Sequence, residues 1–136
     1  MVKFFDKAKV DFIVKEDEGV VIAKFSNPVN VTNTFLNHIK SENWDAFESM
    51  YNRVSTVRGV AKCAPEDKFD VKIGKRIALN HLKTKTAHSF VRFIIKLAQD
   101  KIKEYNTLVD FSISGGVYIQ ELEQQLRKTY EMVETK

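Results

Sequence analysis

Ala8-Lys9-Val10-Asp11-Phe12-Ile13-Val14-Lys15 alternates apolar and polar residues before running apolar, Glu16-Asp17-Glu18-Gly19 interrupts it, and Val20-Val21-Ile22-Ala23-Lys24-Phe25-Ser26 follows. Both runs are rich in β-branched and aromatic residues, and the short link between them ends in glycine. That combination predicts a β-hairpin. Asn27-Pro28 closes it, because proline donates no ladder hydrogen bond and restricts the residue before it.

Beyond Thr32 the apolar period lengthens from two to between three and four. Trp44, Phe47, Tyr51 and Val54 share one helical face, Phe35, Leu36 and Ile39 supply a turn ahead of it, and Ser41 or Asn43 is the expected cap. A third strand is expected over residues 55–63, and Ala64-Pro65-Glu66-Asp67 reads as a turn. From Val71 to Lys83, at about 100° per residue, Ile73, Ile77, His81, Gly74, Ala78, Val71 and Leu82 fall in one half. Lys72, Lys75, Arg76 and Lys83 fall opposite, so an amphipathic helix with a basic outer face is predicted. Thr84-Lys85-Thr86 is expected to break it. A more deeply buried helix, carrying Arg92, Lys96 and Lys103 on its polar side, then runs from Ala87 to Tyr105. Val109, Phe111 and Ile113 suggest a short strand, Ser114-Gly115-Gly116 a turn or hinge, and 117–134 a terminal helix. The expected fold is α+β: an N-terminal hairpin plus one or two further strands in a small antiparallel sheet, packed against three to four helices. Residues 1–136 are read as a single domain. Trp44, Phe90, Phe93, Ile94 and Leu97 are the candidate core.

Charge is distributed unevenly. Residues 1–54 carry a net −1, residues 55–104 a net +7 and residues 105–136 a net −2. A central basic block is the electrostatic footprint of a polyanion binder, although lysines also serve solubility. Cys63 is the only cysteine, which excludes an internal disulfide and fits a reducing cytoplasm. The longest apolar run, Phe93-Ile94-Ile95, is too short to span a bilayer, and Met1-Val2-Lys3-Phe4-Phe5-Asp6 has no signal-peptide core. No membrane partner is expected.

Chemistry-bearing motifs are sparse. His38, His81 and His88 have no metal-ligand spacing, and His81 reads as a buried, hydrogen-bonded core residue. Cys63 has no local nucleophile signature. Glu66, Asp67 and Asp70, in the turn before a helix, are the best remaining group for acid–base or divalent-metal chemistry, but carboxylates at a helix start are favoured by the backbone dipole in any case, and capping is the expected role. No enzyme, cofactor or metal site is expected.

Arg58-Gly-Val-Ala-Lys-Cys-Ala-Pro-Glu-Asp-Lys-Phe-Asp-Val-Lys-Ile-Gly-Lys-Arg-Ile-Ala-Leu resembles a segment that recurs in small proteins of phages and prophages. The resemblance covers residues 58–79 and implies an origin, with host cytoplasm as the location, but no activity. The same strand–turn–helix is similar to the last strand and helix of double-stranded-RNA-binding-like domains. In that family basic residues at the start of the helix grip phosphates, and Lys72, Lys75 and Arg76 are the matching positions. The family begins with a helix and ends with this one, whereas here a hairpin comes first and more helices follow.

The leading expectation is a non-enzymatic binder of nucleic acid or another polyanion through Lys72, Lys75, Arg76, Lys83, Arg92 and Lys96. Two alternatives stand beside it: a small phage protein that binds and inhibits a host protein, or an oligomer that sequesters an anionic nucleotide. Ile119, Leu122, Leu126 and Val133 form a narrow seam expected to hold a homo-oligomer, although a helix docked on its own domain needs the same stripe.

Overall fold

Alternation in the first two apolar runs translates directly into a sheet with one covered face. In the computed structural model, which describes residues 4–134, β1 (Val10–Lys15) pairs antiparallel with β2 (Val20–Phe25), Phe12 opposite Ala23 and Val14 opposite Val21. A single 3-10 turn, Glu16–Glu18, connects them, and Gly19 at φ 63° takes the left-handed conformation that ends it. β3 (Gly59–Lys62) pairs antiparallel with the far edge of β2, giving the order β1-β2-β3. Val21, Ala23, Phe25, Gly59 and Ala61 point to the covered face and are buried.

Asn27-Pro28 does more than end the hairpin. The Asn27 carboxamide accepts a hydrogen bond from the Asn30 amide, and proline takes the first position of α1 (Pro28–His38). The Asn43 carboxamide accepts from the Asp45 amide at the start of α2 (Trp44–Thr56), which runs into the segment expected to be strand. The Asp70 carboxylate accepts from Ile73 N at 3.2 Å, opening α3 (Val71–Glu134), 64 residues long.

Helix α3 corrects three expectations. Thr84-Lys85-Thr86 does not break it, because Thr86 turns its hydroxyl back to the Leu82 carbonyl at 2.7 Å and so stays satisfied while buried. Val109, Phe111 and Ile113 are helical, and so are Gly115 and Gly116. Alternation over five residues is too short a signal to resist helix propagating from both sides. The fold class is nonetheless the expected one: α+β, with the N-terminal hairpin in a three-stranded antiparallel sheet and three α-helices.

Two compact units divide the chain, one ending at Phe93 and one beginning at Ile94. The first holds the core. Phe35 and Phe90 stack with ring centroids 4.0 Å apart, and Phe4, Phe5, Phe25 and Phe93 surround them. Gly74, Ala78 and Leu82 bring α3 down on the sheet, and Phe90 further along packs against Phe35 of α1. A Cβ on Gly59 would collide with the Ala78 carbonyl and sit 2.5 Å from Leu82 N, so glycine is what lets strand and helix approach this closely. Trp44, expected in the core, is 70% exposed and stacks on Phe47 instead. In the second unit, residues 94–134 form the remainder of α3, and every described residue from Ala98 onward is exposed. Ile94 and Leu97 are half-buried.

Candidate polyanion interface

The buried ridge of α3 fixes where its cations point. Positions 74, 78 and 82 face the sheet, which turns Ile73 and Ile77 outward, at 54% and 44% exposure. The apolar half drawn from helical spacing is therefore rotated: Gly74, Ala78 and Leu82 are buried, and its two isoleucines are not. His81 is exposed rather than buried, and it does find a hydrogen bond, with Nδ1 2.8 Å from the Val60 carbonyl.

Lys72, Arg76 and Lys83 lie within roughly 40° of one another around the axis at 3.6 residues per turn, all exposed. Lys75 lies nearer the sheet, its Nζ 5.4 Å from the centre of the Phe12 ring, a cation–π contact. Arg92 follows Lys83 by nine residues, two and a half turns, and so sits on the opposite flank. The five residues of the first unit thus form two basic flanks, not one face. Lys96 belongs to the second unit and is exposed there.

On the Arg92 flank the structure assembles a group that the sequence did not suggest. Arg53, Thr56 and Val57 of α2 and the adjoining turn meet Lys85, His88, Ser89 and Arg92 of α3 around an open concavity of about 420 Å³. Among the described residues no carboxylate lines it. Lys85 also donates to the Arg58 carbonyl at 3.1 Å, and the Arg58 guanidinium donates to the carbonyls of Ser55 and Val57. These cations offset the negative end of α2 as well as enriching the surface in positive charge. Arg53 comes from a different helix, so no linear pattern could have signalled it.

From Val71 to Gln99 the helix carries seven Lys and Arg and no Asp or Glu. Between the flanks runs an exposed ridge of Ile73, Ile77, Asn80, Thr84 and Val91. Cations bracketing an uncharged ridge suit contact with phosphates on both sides of a groove.

Cys63 and His81 line a second concavity, of about 450 Å³, between β3 and the start of α3. Each is turned to main-chain carbonyls: Cys63 Sγ lies 3.5 Å from the Ala64 oxygen and 3.6 Å from the Asp67 oxygen. No hydrogen bond joins the two side chains among the described residues. Among those residues no group of three or more His, Cys, Asp and Glu is placed to hold a metal ion, and no helix is long and apolar enough to cross a membrane. Ile119, Leu122, Leu126 and Val133 all lie on α3 and are 44–68% exposed. No protein-family model, no curated protein and no solved structure matches the chain.

Proposed function

We propose that this protein binds nucleic acid, or a polyanion of similar charge density, through the first part of α3, and that it does so as a homo-oligomer held by residues beyond Ile94. One observation carries the binding reading: a helical stretch of 29 residues with seven cations and no carboxylate. Like charges at this density repel one another, and a phosphate backbone relieves that repulsion while releasing counterions.

Anisotropy titrations of labelled duplex DNA, single-stranded DNA and duplex RNA test the reading. If Lys72, Arg76 and Lys83 each neutralise one phosphate of a duplex, a fourfold rise in salt lowers affinity about 40-fold. Lys72→Glu with Lys83→Glu weakens binding at least tenfold and leaves the circular dichroism unchanged. Absence of binding to all three probes at low salt overturns the proposal. The concavity lined by Arg53, Lys85, His88 and Arg92 favours a second reading, capture of a small anionic nucleotide. Calorimetry with nucleoside triphosphates checks it.

A further inference from the structure

Beyond Ile94, α3 exposes apolar side chains at a density that a solvated helix does not need. Ile95, Ile102, Tyr105 and Val109 are 36–67% exposed, and Ile119, Leu122 and Leu126 are 44–56% exposed. Their positions have a symmetry of their own. Counting outward from Ser112, Val109, Tyr105, Ile102, Ala98 and Ile95 stand three, seven, ten, fourteen and seventeen residues before it. Gly115, Ile119, Leu122, Leu126 and Thr129 stand the same distances after it. Each half alternates steps of three and four, the spacing of a helix seam.

A pattern that reads alike in both directions is self-complementary under a two-fold axis. We infer that residues 94–130 of two copies pair antiparallel, centred on Ser112. This rests on the reading of the segment as an assembly element and adds its orientation and register. Ile102 then meets Leu122 of the second copy, Tyr105 meets Ile119, and Ala98 meets Leu126, a small residue against a large one. Val109 meets Gly115, and Leu108 and Tyr118 flank the same seam.

Charge selects the orientation. Lys101 and Lys103 lie eleven and nine residues before Ser112, and Glu123 and Glu121 lie eleven and nine after it. Antiparallel pairing sets these lysines level with the glutamates of the other copy. Parallel pairing sets lysine beside lysine and glutamate beside glutamate. The step across the centre, Val109 to Gly115, is six residues, one short of a heptad. A local change of helical twist absorbs the difference, next to two glycines with nothing within 4 Å of a Cβ built on either. Over residues 94–130 the paired face is roughly 55 Å long and about 10–12 Å wide, on the order of 600 Å² per copy. Two copies then bury about 1,200 Å², the lower end of the range for a stable interface.

Disulfide trapping in a Cys63→Ser background tests the pairing. Ile102→Cys and Leu122→Cys proteins are oxidised separately and after mixing, and Tyr105→Cys with Ile119→Cys forms a second pair of variants. Retained circular dichroism qualifies each variant for the test. A mass of two copies by light scattering, with cross-linked dimer forming only on mixing, is the expected result. Cross-linking of Ile102→Cys with itself means parallel pairing and overturns the inference while the assembly reading stands. A dimer that forms no mixed disulfide from either pair overturns the register. A monomer mass overturns the inference and the assembly reading together.

Discussion

At the scale of single residues, apolar character alone did not separate buried from exposed. Phe90 is fully buried, stacked on Phe35, whereas Trp44 is 70% exposed and rests on Phe47. Both sit on clear helical faces in the sequence. What separates them is position along the element: Trp44 is the first residue of α2, six residues before that helix reaches the core at Met50 and Val54. Phe90→Ala should therefore cost roughly 3–5 kcal/mol, and Trp44→Ala no more than about 1 kcal/mol, the worth of its stacking contact. Urea denaturation of the two variants against the parent gives both values directly. Gly59 and Gly74 separate buried from exposed more sharply than the aromatics do, because a missing side chain inside a strand or on a buried helix face admits a close neighbour. Gly59 meets the Ala78 carbonyl and Leu82, and a Cβ on Gly74 would lie 2.7 Å from Val21 Cγ2.

At the scale of elements, the hairpin was legible because strand alternation, turn chemistry and a terminating proline all agreed between Ala8 and Pro28. The interior of α3 was not, because its local signals conflict. Thr84, Thr86 and the Gly115-Gly116 pair all favour leaving a helix, yet each sits within a helix long enough to override them. Thr86 is reconciled by its bond to the Leu82 carbonyl. The glycines have no such compensation and simply weaken the helix, by about 1 kcal/mol each relative to alanine. Replacing both by alanine should therefore raise helical content and stabilise residues 94–134, as read by ellipticity at 222 nm during thermal melting. Were these glycines a turn with positive φ, the same change would destabilise the protein. The sign of the shift therefore discriminates between the sequence-based turn and the continuous helix.

At the scale of the whole molecule, most cations of the basic block at residues 55–104 fall on one helix, α3, but their division between two flanks needed the sheet to fix which side is buried. The two units also differ in what stabilises them. The first encloses an aromatic core of its own, whereas every described residue from Ala98 onward is exposed and, in the proposed assembly, gains cover only from a second copy. A free helix of that length loses much of its stability in water when it has no packed face. Dilution should then act on one unit and spare the other, because association stabilises only what it covers. The chain supplies a separate optical probe for each. Trp44 is the only tryptophan and lies in the first unit, so its emission reports that unit alone, while ellipticity at 222 nm sums all helix. Between about 50 µM and 0.5 µM, ellipticity per residue should fall while the Trp44 emission maximum stays fixed. Alanine at Ile102 and Leu122 together should move the loss of ellipticity to higher concentration, since both side chains belong to the proposed seam. Nucleic-acid affinity should weaken over the same range, because two linked basic helices bind one polyanion more tightly than either does alone. If ellipticity is constant over that hundredfold dilution at a monomer mass, residues 94–134 are stable without a second copy, and the link between assembly and binding fails with it.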